Sequence, residues 1–244
     1  MGLSIQVGYL ADAISKDSEE AEIAFSSIKR MDQALAAEGY DRLGEPTDCE
    51  VWTVDMIGHS GLHALREVAA MYWKGRSIPR DTLLDGSQRQ HADALAKEFF
   101  EHLSGKGNLT LIGKAFRQIL KAKEKPNQPP FVHLNIHSDC DGYYVPVPFE
   151  TPIVPKRFTK DCEHLWPLGS VMRLEAEVSQ LACHLEIPAK LQYDDEELHA
   201  MINCPDSTPT KALWLAQPIA THACLVLREA CNRSLRTGAA IHFC

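Results

Sequence analysis

Apolar residues recur at helical spacing through most of this chain, while strand-like alternation is confined to short runs. That imbalance sets the fold class. Asp17 and Ser18 offer caps to an acidic first turn, Glu19 and Glu20, and Ala21, Ala24, Ile28, Met31 and Leu35 follow at helical intervals until Gly39. Leu62, Leu65, Val68, Ala69 and Tyr72 form one face of a second helix over 61–74, with Ser60 as its expected cap. Two further amphipathic stretches cover 88–103 and 108–122, and a charged, proline-ended connector runs over 121–130. Ser170 opens a helical pattern to about 186, ended by Pro188, and Asp194 and Asp195 cap a short helix through Ile202. The last helix is expected to start at Thr208 or Thr210, to kink at Pro218 and to end at Gly238.

Alternation marks residues 3–10, a short extended piece near Val51–Val54, residues 131–137, Tyr143–Val147 and the C-terminal Ala239–Cys244. With turn chemistry at Asp139–Gly142, the segment 131–147 reads as a hairpin. Pro146 and Pro148 place its second strand at a sheet edge. The sum is a helix-rich α+β single domain spanning 1–244, with a small, mostly antiparallel sheet. A chain of 244 residues, 45% hydrophobic and 24% charged, is long and apolar enough to bury one sizeable core.

The formal charge of -8 disfavours direct binding of nucleic acid, because phosphate contacts supply most of the affinity of such proteins and need a basic face. It suits a basic protein partner. No apolar run is long enough to span a membrane. The N-terminal Met1–Val7 run lacks the basic and apolar regions of a secretory signal. A cytoplasmic protein with reduced cysteines is therefore expected. None of the eight cysteines stands in a C-x-x-C pair. Cys183, Cys224 and Cys231 fall in helical patterns and read as small core residues. No cofactor or metal is called for.

Two clusters could carry function. His137, Ser138, Asp139, Asp141, Tyr143 and Tyr144 gather an imidazole, a hydroxyl, two carboxylates and two phenols at a strand end, where a rigid scaffold can display a loop. The competing reading is turn chemistry, with the tyrosines packed. Carboxylates beside Cys140 would raise its pKa, which argues against a nucleophile. His133 and His137 in one strand would lie about 13 Å apart, too far for one metal. His59 and His63, four apart around Ser60, have the spacing of metal ligands on a helix, although no Glu follows His59. The competing reading is a capped helix with a histidine satisfying a buried carbonyl.

The opening Met1–Gly8, the central Ser60-Gly61-Leu62-His63-Ala64-Leu65-Arg66 and the run His137-Ser138-Asp139-Cys140-Asp141-Gly142-Tyr143-Tyr144-Val145-Pro146 resemble a family of mostly uncharacterised bacterial proteins. Relative to that family, 104–128 is an insertion and Cys140 stands where a smaller residue is usual. Some proteins of this kind resemble immunity partners of type VI or polymorphic toxins. That resemblance implies a protein that binds and neutralises a cognate toxin, such as a nuclease, through the residues of the two clusters. The alternative is a small metal-dependent hydrolase using His137 and Asp139 with His59 and His63. The sequence leaves the oligomeric state open.

Overall fold

The computed structural model describes residues 3–86, 131–136, 142–153, 167–204 and 212–244. The chain starts with β1 (Ser4–Val7), which ends where Gly8 takes a φ of 85° and opens α1 (Tyr9–Lys16). The strand expected over 3–10 is thus cut short by the residue best able to turn left-handed. Asp17 ends α1 and starts α2 (Ser18–Ala37), its carboxylate accepting the Glu20 N–H at 2.8 Å. A loop leads to β2 (Trp52–Asp55) and α3 (His59–Trp73). Gly58, not Ser60, precedes α3, and Ser60 lies within its first turn without capping it.

Five strands form one mixed sheet in the order β2-β1-β5-β3-β4. β3 (Gly142–Val145) runs antiparallel to β5 (Ile241–Phe243) and parallel to the two-residue β4 (Gly169–Ser170). The architecture is the helix-rich α+β fold expected. The hairpin over 131–147 is not formed. β3 lies between β5 and β4 and is no edge strand, since Pro146 falls just past its end and removes no ladder bond.

Residues Val132–Ile136 form a single helical turn, α4, and not a strand. The Asn135 N–H donates to the Phe131 carbonyl at 3.0 Å, the i→i−4 bond of a helix. Phe131 takes a φ of 65° and breaks the extended path. The turn is held at both ends by distant side chains. The Glu177 carboxylate accepts the N–H groups of His133 and Leu134 at 3.0 and 2.8 Å. Arg66 Nε donates to the Leu134 carbonyl and the Tyr144 hydroxyl to the His133 carbonyl, each at 3.0 Å. A five-residue helix has too little cooperativity to form alone; these charged and buried partners supply what it lacks.

α5 (Val171–His184) and α6 (Glu196–Asn203) match expectation, the latter capped by Asp195 at 3.1 Å. α7 (Leu213–Ala216) and α8 (Pro218–Thr237) replace the one kinked helix expected. Pro218 begins α8, at the position where its missing N–H costs nothing. The buried Gln217 before it donates to the carbonyls of Pro79 and Thr82 and accepts the Leu84 N–H, pinning that loop. Cys224 and Cys231 are buried, but Cys183 is exposed, on the outer side of α5. The expected helices at 88–103 and 108–122, the connector at 121–130, the insertion at 104–128 and the start at Thr208 or Thr210 lie outside the described residues.

Strand alternation sorts the core into two layers. Ile5, Val7, Trp52, Tyr144, Ile241 and Phe243 face α3, α5 and α8. Tyr143 and Val145 face the opposite way, with Ala240, against α1 and α2. The adjacent tyrosines therefore serve opposite cores.

The buried Glu45 ties the loop after α2 to the sheet. Its Oε2 accepts the Ala240 N–H at 2.8 Å, while Oε1 has no partner among the described residues. Burial, aided by nearby Asp32 and opposed by the Ala240 N–H, pushes its pKa up to about 7. A raised carboxyl stabilises the fold below its unfolded value near 4.5 and loses that contribution as pH rises through about 7. The Glu45→Gln variant should therefore gain on the wild type by roughly 3 kcal/mol between pH 4.5 and 7.5 in denaturant unfolding. Parallel pH profiles would exclude this role.

Candidate protein-binding surface

The two tyrosines of β3 turn inward. Tyr144 is fully buried, and Tyr143 is 8% exposed, its ring stacked on His242 with centroids 4.6 Å apart. The expected outward display of these tyrosines fails because β3 is an interior strand with a core on each face. His133 is consumed likewise: Nδ1 accepts the Ser170 N–H at 2.9 Å and Nε2 faces the Glu150 carbonyl at 3.2 Å. Burial, with Arg173 nearby, lowers its pKa to about 3, so the ring is neutral. Burial also raises Glu177 to about 7, against the pull of its backbone donors and Arg173.

Of the other sequence candidates, His63 is buried on α3 and Ser60 is half-buried. His137, Ser138, Asp139 and Asp141 lie outside the described residues, as does the side chain of His59. The expected convergence of His59, His137 and Asp139 with His63 thus falls outside the described residues. Among the described residues no group of three or more His, Cys, Asp or Glu is placed to hold a metal.

A different feature stands out, in the distribution of charge. Residues 1–60 hold twelve acidic and four basic residues, and the other 184 hold twenty-one of each. The entire formal charge of -8 thus belongs to the first quarter of the chain. That quarter builds β1, α1, α2 and β2, which are neighbours: α1 packs on α2, and β2 pairs with β1 at the sheet's end. Its charge is therefore carried by the α1–α2 layer, the loop that follows it and the β2 end of the sheet.

Nine of the twelve carboxylates are exposed: Asp17, Glu19, Glu20, Glu22, Glu38, Asp41, Asp48, Glu50 and Asp55. Glu19 and Glu22 share a face of α2, three residues apart. The helix dipole favours negative charge in this first turn, so the acids cost α2 nothing. Asp12 sits at the margin between α1 and the sheet. Burial pushes its carboxyl up, but hydrogen bonds from Lys16 and Gln6 outweigh that and hold it below the usual value. Lys16 spans Asp12 at 2.9 Å and Glu20 at 3.9 Å. Glu50 is neutralised by Arg233 and Arg236, each at 2.5 Å. Among the described residues no cation pairs with Glu19, Glu22, Glu38, Asp41 or Asp48. The surface is a field of carboxylates with few counter-charges.

The family model described as "Putative DNA-mimic protein" matches residues 1–243. The chain belongs to this DNA-mimic family. No curated protein and no solved structure matches it. Membership in the DNA-mimic family supports a protein-binding function. It also corrects the expected partners, a toxin with nucleic acid set aside. A DNA-mimic family implies a DNA-binding protein as partner. The chain-wide charge pointed only to a basic partner; it could not say what kind. Among the described residues no helix is long and apolar enough to cross a membrane.

Proposed function

We propose that this protein occupies the nucleic-acid site of a DNA-binding protein with the acidic surface of residues 1–60. The observation that carries the reading is the confinement of the whole net charge to those residues, with nine exposed carboxylates on the α1–α2 layer and the β2 side of the sheet. A DNA-binding site is lined with lysine and arginine spaced to meet phosphates, and a fixed array of carboxylates satisfies the same donors. α2 holds Glu19, Glu20 and Glu22 and β2 holds Asp55, so those four need little ordering on binding, and complementary potentials speed encounter.

Competition tests this directly. The protein, immobilised and exposed to nuclease-treated lysate, should retain a DNA-binding protein that free duplex DNA releases in proportion to its concentration. The purified partner should lose DNA in a shift assay as this protein is added, and their complex should weaken steeply with salt. A partner that binds DNA and this protein at once, without mutual exclusion, would overturn the reading.

A further inference from the structure

β2 closes one end of the sheet, and its pairing with β1 leaves one edge open. Met56 N–H donates to the Leu3 carbonyl at 2.9 Å, and the register continues through Ile5↔Val54 and Val7↔Trp52. β1 uses its alternate residues to bind β5: Ser4 and Cys244 exchange N–H···O bonds of 2.8 and 3.0 Å. Antiparallel ladders alternate in this way, so Trp52, Val54 and Met56 bond inward while the N–H and C=O groups of Thr53 and Asp55 point away from the sheet. Both residues are exposed. Among the described residues nothing bonds to those outward groups.

An open row of donors and acceptors is a template for another strand, and proteins usually blunt it with lysine, proline or a bulge. None of these protects Val51-Trp52-Thr53-Val54-Asp55, whose β-branched and aromatic residues favour extended pairing. Val51 adds an exposed apolar side chain at its start. What guards the edge is negative charge: Asp55 within it and Asp48 close before it. A second copy would bring the same charges face to face, so self-pairing is disfavoured. A cationic strand meets no such barrier.

We propose that the β2 edge takes up an extended, lysine- and arginine-rich segment of the DNA-binding partner as a sixth strand. The proposal rests on the DNA-mimic reading and adds backbone pairing to it. Basic arms that follow a DNA groove are extended and cationic, the two properties that this edge selects. Backbone bonds supply affinity without demanding a side-chain sequence, and the carboxylates select charge.

The probe is a ten-residue peptide alternating lysine and threonine, set beside its fully N-methylated counterpart of equal charge. With the full-length protein, the plain peptide should slow hydrogen exchange of the Thr53 and Asp55 amides and leave Trp52 and Val54 unchanged. The methylated peptide should bind at least about tenfold more weakly, the worth of one or two lost hydrogen bonds. Equal binding of both peptides without protection would show that charge alone acts; it would overturn the sixth strand and leave the acidic surface standing. Binding of neither would overturn both readings. A dimer of the free protein with the two amides already protected would show that the edge is closed by a second copy, which also overturns the proposal.

Discussion

Replacing Glu19, Glu22 and Asp48 together with lysine should weaken partner binding by on the order of a hundredfold or more, against less than about tenfold for the same change at Asp194, Glu196 and Glu197. Both triple variants move the net charge by the same amount, so a difference between them reports place and not total. The first three carboxylates are exposed and unpaired with cations among the described residues, in the segment of the chain that holds all the excess charge. The second three lie at the start of α6, within the part of the chain where acids and bases balance. Each reversal removes an attraction and adds a repulsion at a basic site, about 1 kcal/mol or more per position, and three accumulate to the effect stated. All six positions are at or near helix starts or in a loop, so folding should survive, which circular dichroism would check. Equal losses would mean that only overall charge matters.

The second large effect is on stability. Gly169 of β4 lies against the face of Tyr144: a Cβ built there would stand 2.0 Å from Cδ1 and 2.3 Å from Cε1 of that ring. Tyr144 cannot retreat, being fully buried, with its hydroxyl donating to the His133 carbonyl at the end of α4. Gly169→Ala must shift either the ring or the β3–β4 pairing, at about 4 kcal/mol, beyond the usual range for overpacking because the obstacle is a pinned aromatic. The diagnosis makes a further demand. In a Tyr144→Leu background, the alanine should cost less than about 1 kcal/mol, because the space it needs has been vacated. If the two substitutions add in chemical denaturation, the close approach is not the cause.

How far the fold could be read in advance depended on whether the deciding forces were local. Helix α2 was legible from Asp17 to Gly39 because its cap, its acidic first turn and its apolar stripe all lie in neighbouring residues. α5, α6, β1, β2 and β5 were legible for the same reason, give or take their ends. α4 was not. Its residues alternate like a strand, and only Glu177, Arg66 and Tyr144, each distant in the chain or on another element, make the turn helical. Ser60 and Pro218 were misplaced because a cap or a helix start depends on where the preceding chain turns, at Gly58 and Gln217 respectively.

The candidate surface divides in the same way. The acids of residues 1–60 were present in the sequence, and counting charge by segment instead of over the whole chain would have exposed the excess. The Tyr143–Tyr144 region reads as a displayed loop because polar and aromatic groups stand near a glycine, yet both rings serve the interior.

The sequence alone thus determined where the charge lies along the chain and that α2, α3, α5 and α6 are helices, since both follow from residue identity and near-neighbour spacing. Only the tertiary structure decided that the charge-bearing segment forms the α1–α2 layer and the β2 end of the sheet, that Tyr143 and Tyr144 are buried on opposite faces, and that Thr53 and Asp55 present an open edge. Those facts depend on which strands pair and which faces meet, and contacts between residues far apart in the chain leave no local pattern to read.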